Sequence, residues 1–369
     1  MREYIGQQLI MGLSGEELTK DEAHFIVENN IGGVILFARN LKSVEQIHTL
    51  INDIQKLRYK TTEKIPLFVS VDMEGGRVHR LKAPFTQWPP VSNLGHIDSS
   101  SMAFQFTHLM GKELKAMGFN LDYAPCVDVL MNEKNEVIGD RALSTDPEMV
   151  AKLASAMVRG YIKSDVVPCA KHFPGHGFTS VDSHFDLPVD QRTLRDLEQN
   201  GDLEPFKKVI KARIDMIMTA HIQYPNIDPK FPVTLSPLFV SQFLRQALRF
   251  KGIIITDDLD MKALTKHFSI EEIPVLALQA GATMLLYCNE PNSPVRAIQS
   301  LSKAMSDRKI DQEVVFKNYK IITDIKKKKL KQPIEPFSLD KAKQFIGCQE
   351  HKDFAEAVAQ RKLVETNNK

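Results

Sequence analysis

Short apolar runs alternate with amphipathic segments through most of this chain. Seven runs have the composition of buried strands, and they lie at residues 31–40, 65–72, 119–129, 166–172, 215–221, 252–258 and 282–289. The runs are too apolar to form strands with one solvated face. Buried strands that alternate with helical patterns indicate a parallel sheet with helices outside it.

The number of repeats favours one closed barrel. About eight strand–helix units suit an α/β fold, a single (β/α)8 TIM-type barrel with long catalytic loops, over residues 1–335. An open doubly wound sheet is the alternative, although no G-x-G-x-x-G follows a first strand. Residues 336–369 are expected to form one C-terminal helix, an extension that packs on the barrel or trails from it.

Composition excludes several classes of protein. The chain has 48 Lys and Arg against 46 Asp and Glu, a net charge of +2, so no nucleic-acid partner is expected. No run approaches the roughly 20 apolar residues of a membrane span, and the N-terminus lacks signal-peptide features. Four dispersed cysteines fit a reducing compartment. We therefore expect a soluble cytoplasmic monomer with no membrane partner.

Polar residues end nearly every predicted strand. They are Asp72, Asp128, Lys171 with His172, His221 and Asp257. The carboxyl ends of the strands line the active-site face of such barrels. A structural protein has little reason to place charges there, so this pattern predicts an enzyme.

The stretch "KHFPGHGFTSVDSH" (171–184) concentrates three histidines. Asp182 stands two residues before His184, and a carboxylate beside an imidazole orients the ring and raises its basicity, as in a proton shuttle. His172 and His176 have H-x-x-x-H spacing, but Pro174 and an adjacent glycine make a helix there doubtful, which weakens a metal site. Proton transfer, metal ligation and structural hydrogen bonding all remain open on these residues alone.

Three further segments carry candidate groups. "IIITDDLDM" ends a buried strand in Asp257 and Asp258; one of the two is expected to face the site, and Asp258 or Asp260 is expected to cap the next helix. In "VDMEGGRVHRL", Asp72 is followed by Arg77 and Arg80, and "VIGDRAL" adds Asp140 and Arg141. Carboxylates and guanidiniums together suit a polyhydroxylated ligand.

These motifs together resemble one family. "KHFPGHG" with "DSH", "VDMEGGRVHRL" upstream, "VIGDR" between them and "TDDLDM" downstream are similar to family 3 glycoside hydrolases of the β-N-acetylglucosaminidase type, from about residue 5 to residue 330. The resemblance implies a retaining exo-glycosidase. Such an enzyme would release N-acetyl-β-D-glucosamine from muropeptide-type fragments, with or without peptide, during cell-wall recycling.

The resemblance also implies the roles of individual residues. Asp257 would be the nucleophile, and His184, paired with Asp182, would be the acid/base. The sugar would be held by Asp72, Arg80, Arg141, Lys171 and His172. No metal and no organic cofactor would be required, and the partner would be a small carbohydrate.

Three other functions remain open at this point. A metal-dependent hydrolase could use His172, His176, His184 and His221 as ligands, with Asp257 polarising water. A phosphorylase would keep the fold and use phosphate instead of water as the acceptor. A sugar-binding protein would use the same polar groups only as hydrogen-bonding partners.

Overall fold

Eight parallel strands form the centre of the molecule. The structure is a computed structural model that describes residues 2–183, 185–330 and 334–364. The strands are β1 Leu9–Gly12, β2 Gly33–Ile35, β3 Phe68–Val71, β4 Leu121–Asp122, β5 Val167–Phe173, β6 Met216–Thr219, β7 Ile253–Asp258 and β8 Met284–Tyr287. Each strand pairs with its neighbours in chain order, and β8 pairs with β1. The predicted barrel is confirmed, and the sheet is not an open one.

The first strand is the one that the sequence did not indicate. β1 has four residues and begins three positions after the helix Arg2–Gly6. Its register joins the two ends of the barrel, since Leu9 lies opposite Leu285 and Ile10 lies opposite Gly33. A run this short gives no clear period, so only pairing on both sides defines it as a strand.

The helices surround the barrel, and their caps match the sequence in part. Ser43 accepts a hydrogen bond from the Gln46 N–H, but the Gln46 side chain bonds Lys42, so only half of a capping box forms. Asp146 caps the helix that starts at Pro147. The α-helices are Arg2–Gly6, Lys20–Asn29, Val44–Lys56, Ser92–Ile97, Ser100–Met117, Pro147–Lys163, Leu194–Gln199, Glu204–Lys211, Lys262–Thr265, Ile273–Ala280, Ser293–Ser306, Gln312–Lys329, Leu339–Lys343 and Gln349–Ala359, with a π-helix at Leu238–Ala247.

Alternation along the strands fills the barrel and aims residues at its mouth. Ile253 and Ile255 belong to the cluster inside the barrel, whereas Ile254 packs against the outer layer. Asp257 is two residues beyond Ile255, so it continues the inward face at the carboxyl end of β7. The barrel interior is therefore a packed core, and the inward-facing groups at the carboxyl ends of the strands lie at its mouth.

The C-terminal extension forms two helices where one was expected. Leu339–Lys343 and Gln349–Ala359 are separated by a turn that contains Gly347, whose φ is +54°. A Cβ at Gly347 would lie 2.0 Å from the Pro84 carbonyl oxygen, so the chain must turn here against the barrel loops. Within the described ranges, none of the helices could cross a membrane.

Candidate active site

Four of the residues predicted at the strand ends, Asp72, Lys171, His172 and Asp257, meet in a cavity of about 200 Å³ at the carboxyl end of the barrel. Its lining includes Asp72, Arg80, Arg141, Lys171, His172 and Asp257. Six of the eight site residues predicted from the sequence are thus brought together. Asp182 is not among the lining residues, although its neighbour Ser183 is, and His184 lies outside the described residues.

A buried charge network lies on one wall of the cavity. Arg141 donates two hydrogen bonds to Glu74, at 2.8 and 2.9 Å, and the Lys171 ammonium lies 2.6 Å from Glu74 and 2.7 Å from Asp72. Burial alone would raise the pKa of Glu74, but the charges of Arg141 and Lys171 hold it well below its usual range. Glu74 is therefore an anion that fixes both cations in place.

Glu74 was missed in the sequence, although a signal was present. It lies two residues after Asp72, the spacing that places both carboxylates on one side of an extended chain. The residue belongs to a hairpin, Met73–Gly75 paired with Val78–His79, that stands over the cavity. Arg80 follows this hairpin and lines the cavity, and its Nε is buried without a hydrogen-bond partner among the described residues.

Asp128 orients the two histidines of the "KHFPGHG" segment. Its fully buried carboxylate accepts hydrogen bonds from the His172 ring Nδ1 at 2.7 Å and from the His176 N–H at 2.7 Å. Burial would raise the pKa of Asp128, but the imidazole of His172 and these hydrogen bonds hold it well below its usual range. With Nδ1 bound, the His172 Nε2 lies on the cavity side, 3.4 Å from Arg141. The sequence identified Asp128 as a strand end and gave it no role.

His176 fastens the loop that leads to Asp182. Its ring contacts the Thr179 hydroxyl at 2.7 Å and the Ser183 hydroxyl at 3.3 Å. Burial, with the charge of His172, lowers the pKa of His176 to about 4. The ring is neutral at physiological pH, and its contacts indicate a structural role.

The proposed metal-ligand set is not assembled in the described part of the chain. Both ring nitrogens of His221 are engaged, by the Thr234 hydroxyl at 2.7 Å and the Asp258 carbonyl at 2.9 Å. Both nitrogens of His176 are engaged as well. Beside the cavity, the donors that converge are Cys126, Asp128 and His172, and there the Asp128 carboxylate already pairs with the ring; a second group, Cys348, Glu350 and His351, lies in the C-terminal extension. The geometry of the described residues therefore does not support a metal-dependent hydrolase.

The two carboxylates at the end of β7 differ in charge. Burial would raise the pKa of Asp257, but the imidazoles of His221 and His172, a 2.8 Å bond from the Asp258 N–H and Lys171 lower it. Burial, Asp260 and Asp257 raise the pKa of Asp258 to about 7. Asp257, like Glu74, is therefore an ionised carboxylate of the cavity, and Asp258 is partly protonated at neutral pH.

Two expectations about this pair were wrong. Both Asp257 and Asp258 line the cavity, because the register with β8 shifts between Met284 and Leu286. Neither Asp258 nor Asp260 caps the following helix, which begins after Met261. Asp258 instead accepts hydrogen bonds from the Cys288 and Asp260 N–H groups.

Asp258 is expected to make stability fall as pH rises. Its pKa is higher in the folded chain than in the unfolded chain, so the folded state holds more protons between about pH 4 and pH 7, and stability is lost across that window. Asp258→Asn removes this titration. Urea midpoints at pH 5 and pH 8 should differ less for the variant than for the wild type, and equal differences would contradict the assignment.

Comparison with known proteins identifies the family of the chain. The family model for the N-terminal domain of glycosyl hydrolase family 3 matches residues 1–324. The chain belongs to glycosyl hydrolase family 3. This membership confirms the family resemblance, and it confirms the prediction of an enzyme, a glycoside hydrolase.

Named relatives of this family 3 chain are similar over most of its length. A β-hexosaminidase of Nitrosomonas eutropha is 39% identical over 299 residues, which are 79% of this chain and 84% of the relative. NagZ from Neisseria gonorrhoeae, in complex with N-trifluoroacetyl-D-glucosamine, superposes with a TM-score of 0.77 at 30% identity over 96% of this chain and 98% of that one. A fungal multi-domain β-N-acetylglucosaminidase gives a TM-score of 0.93 at 32% identity; it covers 97% of this chain, which spans 42% of the fungal one.

Proposed function

We propose that this family 3 glycoside hydrolase releases a non-reducing terminal N-acetyl-β-D-glucosamine with retention of configuration. The observation that carries the proposal is the ionised Asp257 at the floor of a cavity whose wall holds fixed cations and carboxylates. An anionic carboxylate beside a sugar-sized polar cavity is what attack on an anomeric carbon requires. The names of the relatives support the choice of sugar.

The wall of the cavity would grip the sugar hydroxyls. Asp72 can accept hydrogen bonds from vicinal hydroxyls, and Lys171, Arg141 and Arg80 can donate to their oxygens. Glu74 and Asp128 already hold Lys171, Arg141 and His172 in position, so binding would not need to order them. Such preorganisation leaves more of the binding free energy for the reaction itself.

The reaction would proceed in two steps. Asp257 attacks the anomeric carbon and forms a covalent glycosyl-enzyme, while His184 protonates the departing oxygen. A water molecule, deprotonated by the same imidazole, then attacks the anomeric carbon and releases Asp257. Asp182 would stabilise the imidazolium that donates the proton in the first step and forms again in the second. No metal or organic cofactor takes part in either step.

His184→Ala is expected to lose activity in proportion to how much the leaving group needs a proton. With a poor leaving group the rate should fall by about 10² to 10⁴, the usual range of general acid–base catalysis. The loss should shrink as the aryl leaving group becomes more acidic. A series of aryl N-acetyl-β-glucosaminides measures this dependence, and an equal loss on every substrate would remove His184 from the role of proton donor.

The natural substrate and location are part of the proposal. We propose peptidoglycan fragments, with N-acetylglucosamine joined to anhydro-N-acetylmuramic acid with or without peptide, and a monomeric enzyme that acts in the cytoplasm during cell-wall recycling. Family resemblance supports the choice of substrate. Hydrolysis of such a disaccharide and of its peptide-bearing form, in excess chelator and with or without phosphate, tests substrate, metal requirement and acceptor together. Failure to release N-acetylglucosamine from either would contradict this substrate class.

A further inference from the structure

The C-terminal extension contacts the loop that supports the substrate-side hairpin. At the centre of the contact is Glu113, 1% exposed, on the helix Ser100–Met117. Its carboxylate accepts hydrogen bonds from the Thr86 N–H and hydroxyl, from the Gly347 N–H at 3.0 Å and from the His351 ring Nδ1 at 2.8 Å. We call this set, Glu113 with Thr86, Gly347 and His351, the Glu113 junction.

The junction continues into the hairpin through short contacts. The Thr86 carbonyl lies 3.0 Å from the ring Nε2 of His79, the last hairpin residue. The Trp88 carbonyl accepts a 2.8 Å hydrogen bond from Gly76 in the hairpin turn. The hairpin carries Glu74, and Arg80 follows His79 directly. Two hydrogen-bonded links therefore join the extension-held loop to the hairpin that carries Glu74 and leads into Arg80.

Two residues of the extension, Gly347 and His351, supply hydrogen-bond donors to Glu113. Gly347 places its N–H against the carboxylate because its φ is +54° and the Pro84 carbonyl leaves no space for a Cβ. His351, 1% exposed, supplies the other donor from the first turn of the helix Gln349–Ala359. Without these donors a buried carboxylate would lose two of its partners, which is costly. Both residues lie beyond residue 324, where the match to the family model ends.

We propose that His351 is a positioning residue for sugar binding, which acts through Glu113 and Thr86 on the hairpin that presents Glu74 and Arg80. The inference rests on the proposed function, because it takes those two residues to belong to the sugar-binding wall. The extension is then part of the working enzyme. If the extension loosens, contacts far from the scissile bond become weaker. Such contacts bind the substrate and the transition state alike, so their loss raises KM more than it lowers kcat.

Kinetics of four variants test the proposal. His351→Leu should raise KM for an aryl N-acetyl-β-glucosaminide by about 3- to 30-fold, the range for coupling carried by packed side chains, with a smaller change in kcat. His351→Asn, which restores an N–H donor near the Nδ1 position, should recover most of the wild-type KM. Thr86→Val breaks the junction from the barrel side and should raise KM as well, even if His351→Leu fails to fold.

Val358→Ala is the matched control. Val358 is fully buried on the same helix and is not part of the Glu113 junction, so its truncation lowers Tm through a cavity and should leave KM unchanged. An unchanged KM in folded His351→Leu and Thr86→Val overturns the proposal. An equal rise of KM in Val358→Ala overturns it as well, because the extension would then act only through stability.

The single tryptophan gives a readout that does not depend on turnover. Trp88 is 2% exposed and its ring centroid lies 6.1 Å from that of His351. Acrylamide should quench its fluorescence more strongly in His351→Leu than in the wild type or Val358→Ala. Unchanged quenching would contradict the proposal. If quenching is stronger in His351→Leu than in the wild type but the wild type does not cleave the glycoside, the proposed function is contradicted and the junction remains supported.

Discussion

Asp257→Ala is expected to lower kcat for an aryl N-acetyl-β-glucosaminide by roughly 10⁴-fold or more, the scale seen when one member of a catalytic unit is removed. Asp257 is an ionised carboxylate at the carboxyl end of β7, held in that state by nearby imidazoles and by the Asp258 N–H. Without it no covalent intermediate can form. Initial rates in excess chelator measure the loss.

A small anion should partly replace the missing carboxylate. Azide added to Asp257→Ala can enter the vacated space and attack the anomeric carbon from the same side, which yields a glycosyl azide of inverted configuration. Asp260→Asn, a change in the same segment outside the cavity lining, should keep most of the activity. Substantial activity in Asp257→Ala without azide would contradict the nucleophile assignment.

Glu74→Gln is expected to lower the free energy of unfolding by about 3 kcal/mol at neutral pH, because it removes the charge that compensates two buried cations. Arg141 and Lys171 both bond Glu74, which is 3% exposed, and only Lys171 has a second carboxylate in Asp72. Sugar binding should weaken too, since both cations line the cavity. Urea unfolding measures the first effect and KM the second.

The stability effect of Glu74→Gln should depend on pH. The folded-state pKa of Glu74 lies below its unfolded value, so its contribution is complete above about pH 5 and is lost as pH falls through the folded pKa. The difference between wild type and variant should therefore shrink on acidification below about pH 4. Glu133→Gln, at an exposed position, serves as the control and should change stability little at any pH. A difference that does not vary with pH would contradict the charge network.

The sequence predicted the barrel and four residues of its cavity from periodicity, whereas the sugar-binding roles of Arg80 and Arg141 came from the family resemblance. Seven strands were visible as apolar runs, and the carboxyl ends of parallel strands must gather on one face, so Asp72, Lys171, His172 and Asp257 were expected to meet. β1 was not predicted because a run of four residues is too short to show a clear hydrophobic period. The extension was predicted as one helix because the break at Gly347 depends on a tertiary contact, its close approach to Pro84, which the local sequence does not show.

Residues that act on other side chains were harder to predict. Glu74 and Asp128 hold Lys171, Arg141 and His172, but such roles depend on distances between segments that are far apart in the chain. The same holds for Glu113 and His351, which are 238 positions apart. Local spacing indicates which groups can react, whereas the partners that orient them become visible only in the folded chain.

The most direct test of the central claim is to trap the glycosyl-enzyme. Wild-type enzyme is mixed with an activated aryl N-acetyl-β-glucosaminide, quenched with acid during turnover and digested, and the peptides are sequenced by mass spectrometry. The account predicts an N-acetylglucosaminyl ester on Asp257. An adduct on another residue, or a first-formed sugar of inverted configuration by NMR with no adduct, would contradict it.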